Sequence, residues 1–349
     1  MTLQCDPPAS RAGKLIVRSA HPLNAETPQE LLDSPVTPAD LFFVRSHGDI
    51  PTVDPQLYRL TVEGSAGAPV ELRLDDLRER FEPVSVDATL ACAGNRRSEI
   101  QPPPVGLPWK AGAIGTARWT GARLGDVLRA AGLDPTAQHV AFAGLDSCVE
   151  SGGCEFGASV PIGKALAPEV LLAYEMNGAP LPPEHGYPVR VVVPGFIGAR
   201  SVKWVRSIRA QHAPSESFYQ REDYTVDGVQ LSDLPLTSAV TNVEVDDGTV
   251  RVEGYAVGGG GRPVERVEVS WDGGRSWVPA DVDGTPQEWT WRLWRATTTL
   301  PPGAAEVVVR AWDASGKCQL ESDPVVSNPR GYMHAAQPRV LVLVPPPPG

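Results

Sequence analysis

The sequence predicts an α+β protein, a mixed α/β domain followed by an all-β, immunoglobulin-like sandwich. Three observations carry that expectation. The 349 residues include 34 glycines and 36 prolines, a density of chain-breakers that favours short strands and turns over long helices. Helix and strand signals alternate from residue 41 to about 214, whereas residues 235–349 carry only short alternating segments. A chain of this length also has room for two separate cores.

Residues 1–40 are Pro-rich and weakly periodic, which predicts an irregular arm lying on the first domain. Within that domain, 41–214, the segment LDDLRERF at 74–81 reads as a short helix. In GARLGDVLRAAG, Leu124, Val127, Leu128 and Ala131 share one helical face and Gly132 suits the position just past a C-terminus, predicting a helix over 121–132. YPVRVVVP at 187–194 is a β-branched run bounded by prolines, hence a buried strand. The polar stretch 215–234 reads as a linker to the sandwich at 235–349. There, 250–255, 264–271, 289–294, 305–312 and 340–344 read as strands. Asp-Gly-Gly at 272–274, between two Ser-Trp pairs, predicts a hairpin turn. The glycines at 258–261 lack the Gly-Lys-Ser/Thr of a phosphate loop and precede a strand, so another hairpin tip is expected. Trp271, Trp277, Trp289, Trp291 and Trp294 are expected in the sandwich core and on its faces, and the closing prolines 345–348 as an extended end.

The formal charge is −11 and no Lys/Arg-rich run occurs, which argues against a nucleic-acid partner. Arginines grouped at one spot must then act locally, on a small anion in a focused pocket. The five cysteines are irregularly spaced, fit no disulfide framework or zinc pattern, and imply a reducing compartment. No export signal is visible in MTLQCDPPASRAGKLIVRS and the composition is not that of a membrane protein, so the expected location is cytoplasmic.

One stretch stands apart. In DATLACAGNRRSEI, Cys92 ends an apolar run, Gly94 and Asn95 break the strand, and Arg96 and Arg97 follow. Cations beside a thiol favour the thiolate, and two adjacent arginines are not readily buried without an anion. Against the plain reading of a buried structural thiol, this leaves both a nucleophile and a metal ligand open. Arg45 and His47 follow an aromatic strand in FFVRSHG, where a surface pair is the plainer reading. His185 and Arg190 flank the start of an apolar strand, where ligands commonly bind. PGFIGARSVK at 194–203 supplies turn glycines, backbone N–H groups, a hydroxyl and a lysine, which suit the phosphate of a small cofactor. Arg330, in NPRG, is by itself an ordinary turn arginine.

Assembled, these pieces resemble the sulfite oxidases, the molybdenum-pterin family shared with eukaryotic assimilatory nitrate reductase. The matching text is FFVRSHGDIP, TLACAGNRRSE, GAIGTARWTGARLGDVL, LLAYEMNGAPLPPEHGYPVRVVVPGFIGARSVKW, QREDY, WTWRLW and NPRG, spread over nearly all of residues 40–344. The resemblance implies a molybdopterin-binding catalytic domain and a C-terminal immunoglobulin-like domain that makes a homodimer. It implies Cys92 as the protein's ligand to molybdenum, for which a soft thiolate is suited. It places Phe43, Val44, Arg45, Ser46, His47, Asp146, His185, Arg190, Ser201, Val202 and Lys203 against the pterin. Arg45, Arg97, Tyr224 and Arg330 fall around the substrate, and arginines suit a small dianion such as sulfite. The implied reaction oxidises sulfite to sulfate. Its electrons leave singly for a separate acceptor (a cytochrome, oxygen or another small oxidant), since no haem motif is present and no haem is expected.

The sequence departs from the family at Ser46, where Asn is common, and at Phe156, where vertebrate members carry Tyr. Cys148 and Cys154 are unusual for it and read as structural or bystander thiols. The alternative is reduction of nitrate or another oxyanion on the same scaffold. Ser98, where nitrate reductases carry Lys, and Arg330, where they lose the charge, favour sulfite.

Overall fold

Strands dominate both halves of the chain, and the helices between them are short. The computed structural model describes residues 15–64, 68–148, 151–323 and 328–346. The expectations for residues 1–14, Cys5 included, and for prolines 347 and 348 lie outside these residues.

Two five-stranded sheets build the first domain. One orders Ala179–Pro180, Leu171–Met176, Ile114–Arg123 and Pro83–Ala91, with Arg190–Val192 also paired to Leu171–Met176. The other orders Val70–Leu72, Leu60–Glu63, Val205–Gln211, His139–Cys148 and Cys154–Pro161. In His139–Cys148 the strand period of two sends Val140, Phe142, Gly144, Asp146 and Cys148 inward. A carboxylate and a thiol thus continue an otherwise apolar face.

Helices span Leu74–Arg80, Leu124–Ala130 and Ile162–Ala165. The helix expected over 121–132 is corrected at its start, because strand Ile114–Arg123 runs through Gly121. That glycine serves close strand approach, since a Cβ there would meet the Leu172 carbonyl oxygen at 2.1 Å. The predicted face of Leu124, Val127 and Leu128 is nonetheless buried. The strand expected over 187–194 narrows to Arg190–Val192. The described part of the arm is largely irregular but contributes two short strands, Ile16–Ser19 and Asn24–Glu26, which form a three-stranded sheet with Val44–Arg45.

Residues 215–234 are packed. They form a π-type turn, Tyr219–Asp223, and a small hairpin of Thr225–Val226 with Val229–Gln230. Tyr219 and Tyr224 are buried in the first domain's core.

Beyond lie two four-stranded antiparallel sheets. One orders Thr237–Asp246, Thr249–Val257, Arg292–Thr299 and Asp281–Val282, the other Val278–Pro279, Val264–Ser270, Gly303–Asp313 and Arg339–Val344. Val250, Val252, Val267, Val269, Trp294, Val307 and Val309 share one apolar cluster there. The Asp-Gly-Gly hairpin is present, with Val264–Ser270 paired to Val278–Pro279 and the Asp272 carboxylate accepting the Ser276 N–H at 2.9 Å. The glycines at 258–261, however, are no hairpin tip. They cross from one sheet to the other, and Gly261 sits so close to the Trp289 ring that a Cβ would meet it at 2.5 Å. Two tryptophans also leave the sandwich. The strand begins at Arg292, and Trp291 joins the first domain's core, its backbone N–H on the Thr89 hydroxyl at 2.8 Å. Trp289 packs on that domain too, under the Lys164 ammonium at 4.1 Å.

Candidate active site

Strand Pro83–Ala91 delivers Cys92 to a turn. The Cys92 N–H bonds to the Ala113 carbonyl at 2.9 Å, and its own carbonyl accepts the Asn95 N–H at 3.0 Å. The thiol is 7% exposed, with the Gly94 N–H directed at Sγ from 3.5 Å. Two hollows meet on it. One is a narrow cavity, the other a broader pocket, and Arg45, Cys92 and Tyr224 line both.

The narrow cavity brings together Phe43, Arg45, Ser46, His47, Asp146, His185, Arg190, Ser201 and Lys203. Val44 and Val202 do not line it. Val44 is paired with Ala25, while the Val202 side chain lies in the core and its carbonyl accepts the Val191 N–H at 2.8 Å. Sequence reasoning missed Glu184 and Trp204 on its wall, and assigned Phe156 no place there. His47 explains Phe156, for the two rings stack at 5.1 Å.

The cavity's charges are not balanced from within. Lys203 donates to the Ser46 hydroxyl at 2.8 Å and the Glu184 carbonyl at 3.0 Å. Arg190 donates to the carbonyls of His185 and Ser201 at 2.9 and 3.1 Å, its face over Trp119. Burial, reinforced by the Arg190 charge, pushes Lys203 down to about 7. Burial alone pushes Arg190 down to about 9. His185 falls to about 3 through burial and these two cations, so it stands neutral, and it meets the Ala39 carbonyl at 3.0 Å through Nε2. Two buried cations resting on neutral acceptors form a cradle for an anion. Asp146 complements them. Burial raises its carboxyl despite Lys203, the Cys148 thiol donates to Oδ2 at 3.6 Å, and Oδ1 has no protein partner. A pterin fits these features. Its ring N–H groups suit the orphaned Asp146 oxygen, its phosphate suits Lys203 and Arg190, and a dithiolene-bound metal suits a thiolate.

The broader pocket carries Arg45, Arg97, Tyr224 and Arg330. Arg97 is 5% exposed, donates to the Leu107 carbonyl at 3.0 Å and lies over the Tyr332 ring at 5.1 Å. Its Nε has no protein partner. Glycines make room for it, since a Cβ at Gly94 or at Gly106 (φ +117°) would meet the guanidinium where it now lies at 2.5 Å. Arg45 bonds Asn24 at 3.1 Å, the Ser46 carbonyl at 2.8 Å and His47 Nδ1 at 3.1 Å. The Tyr224 hydroxyl meets His47 Nε2 at 2.8 Å, and burial pushes its phenol far above the ordinary range. Arg330 pairs with Asp223, which also accepts the Tyr332 hydroxyl at 3.3 Å. Asp223 and Tyr332 were given no role in the sequence reading, and their one signal is position, Asp223 inside QREDY and Tyr332 directly after NPRG. Arg96 faces neither hollow. In a left-handed conformation (φ 65°) it binds Glu99, with the Thr237 hydroxyl and Ala336 carbonyl each at 3.0 Å, tying the turn to the second domain.

The pattern of the oxidoreductase molybdopterin binding domain matches residues 47–219, and that of the Mo-co oxidoreductase dimerisation domain matches 229–344. Sulfite oxidase of Gallus gallus is 46% identical, covering 95% of this chain and 78% of that protein. Sulfite oxidase of Arabidopsis thaliana is 40% identical over 97% of this chain and 95% of its own. This chain belongs to the sulfite oxidase family of molybdopterin oxidoreductases. Family membership extends to three dimensions, where the sulfane dehydrogenase SoxCD from Paracoccus pantotrophus superposes with a TM-score of 0.83 at 26% identity, over 93% of this chain and 85% of that one. Among the described residues no helix is long and apolar enough to cross a membrane, and no three His, Cys, Asp or Glu side chains gather as a metal cluster.

Proposed function

We propose that this chain oxidises sulfite to sulfate at a molybdenum-pterin seated in the narrow cavity, with Cys92 as the metal's protein ligand. The observation that carries this reading is the meeting of the two hollows on Cys92, an anion cradle on one side and an arginine-ringed pocket on the other. Asp146, His185, Arg190, Ser201 and Lys203 hold the pterin and its phosphate, with Phe43, Ser46 and His47 closing the wall. Once bound, that group supplies the two-electron redox chemistry.

The chain's own residues bind and orient. Arg97 and Arg330, with Arg45 between the hollows, draw the anion in through charge-assisted hydrogen bonds, and the unpartnered Arg97 Nε is a ready donor. Asp223 offsets part of the Arg330 charge, so that the fully dianionic product is held without being trapped. Tyr224 stays protonated, and its hydroxyl, oriented by His47, is a donor at the junction.

In this reading residues 41–214 are the catalytic domain, with 1–40 an arm and 215–234 the connection. The sandwich at 235–349 is immunoglobulin-like and forms a homodimer, and a separate acceptor takes the electrons. Purified protein assayed with sulfite and ferricyanide tests the function. Sulfite-dependent reduction of ferricyanide is expected. No turnover of sulfite, alongside reduction of nitrate by a reduced dye, would replace the reading with an oxyanion reductase.

A further inference from the structure

Resting on the reading of Tyr224 as a pocket residue, we propose that Arg200 is a positioning residue: it clamps Leu231 and Gln220 and so holds Tyr224 where the two hollows meet. Arg200 lines neither hollow, closes the turn Gly198–Arg200 and is 1% exposed. Its donors go to neutral acceptors, with Nε and Nη2 on the Leu231 carbonyl at 2.9 and 2.6 Å and Nη1 on the Gln220 side-chain oxygen. A buried cation without a carboxylate is costly, and an apolar side chain of similar volume would pack more cheaply. What the cation alone supplies is two-sided grip. Leu231 receives Arg200 on its C=O while its N–H donates to the Tyr224 carbonyl at 2.9 Å. Gln220 lies on the other side of Tyr224, accepts the Ser159 N–H at 3.0 Å and donates to Gln230 at 2.6 Å. Between these fastened flanks lie Asp223, on Arg330, and Tyr224, on His47. The next residues along the chain, Ser201 and Lys203, belong to the cofactor cradle. Arg200 therefore locks the pocket tyrosine to the turn that carries the cradle.

The test compares the full-length protein with R200M and the milder R200K, by amide hydrogen exchange and by steady-state sulfite oxidation, alone and combined with Y224F. In R200M, exchange should quicken in residues 219–231 before it does elsewhere, and kcat/KM for sulfite should fall about tenfold, with R200K between. Because Arg200 acts through Tyr224, adding R200M to Y224F should cost no more than about twofold further. Unchanged exchange in 219–231, or losses that multiply in the double variant, would overturn the proposal. Should R200M not fold, the same comparisons apply to R200K. Should the parent protein fail to oxidise sulfite, the functional reading falls, while the exchange result still decides whether Arg200 clamps the loop.

Discussion

At the residue scale, Arg97 shows how a buried guanidinium stays available to a ligand. Two glycines make room for it, an aromatic ring lies beneath it, and Nε is left without a protein partner. Replacing it in R97M should raise KM for sulfite more than it lowers kcat. A charge-assisted bond of about 1.5–3 kcal/mol corresponds to roughly 10- to 100-fold in kcat/KM, read from saturation curves. Lys203 gives a pH signature in the cofactor-free protein. Burial and Arg190 hold it at about 7, below the 10.5 of a free lysine, so between those values the unfolded chain binds more protons than the folded one. The cost of burying its charge is therefore complete below about 7 and is relieved as pH rises across that window, so stability climbs with pH there. Melting curves from about pH 6 to about pH 9 should show a rise in the parent that is much reduced in K203M; equal slopes would refute it. Much of the site was legible from residue chemistry. Cys92 announced itself by a strand-breaking turn with two cations, and Lys203 and Ser201 by a glycine-rich turn. Asp146 did not, because its role comes from which face of a strand it occupies. Nor did Asp223 and Tyr332, whose parts depend on a contact between residues 109 apart in sequence.

At the element scale, the turn after Cys92 is the piece on which the site depends, and Arg96 is its bolt. Burial works against the Glu99 carboxylate, but Arg96 and His334 outweigh it and hold Glu99 at about 2. R96M should cost about 2 kcal/mol of stability, less than a fully buried pair because Glu99 keeps solvent contact, and urea denaturation measures it. A loss within 0.5 kcal/mol, the scale of an ordinary surface change, would show that the loop is held by other means. The short helix read at 74–81 is present as Leu74–Arg80. Elements were misread where a glycine had two possible uses. Gly121 suits a helix start in sequence but serves strand contact in space, and the glycines at 258–261 join two sheets where a hairpin was expected. Trp289 and Trp291 look like sandwich core in sequence, yet they reach across to the first domain, which no local pattern announces.

At the scale of the whole molecule, Arg96, Trp291 and Arg330 all cross between the domains, so the second domain completes the pocket as well as flanking it. Its outer strand, Arg339–Val344, leaves Leu341 and Leu343 exposed at 67% and 68%, on an edge open to pairing. If that edge forms the homodimer, L341D combined with L343D should sediment as a monomer while the parent sediments as a dimer. Identical sedimentation would move the interface elsewhere. The division into two sheet systems was visible in the shift of composition near residue 235, whereas the closure of the pocket by both domains emerges only from the assembled fold. The central claim is that one thiolate, at the junction of a cofactor cradle and an anion pocket, completes the metal site. X-ray absorption at the molybdenum edge, on the parent and on C92S made in a cofactor-competent host, tests it most directly. The account predicts one sulfur neighbour fewer in C92S than in the parent, together with loss of sulfite turnover. An unchanged sulfur count, or a parent protein without molybdenum, would contradict it.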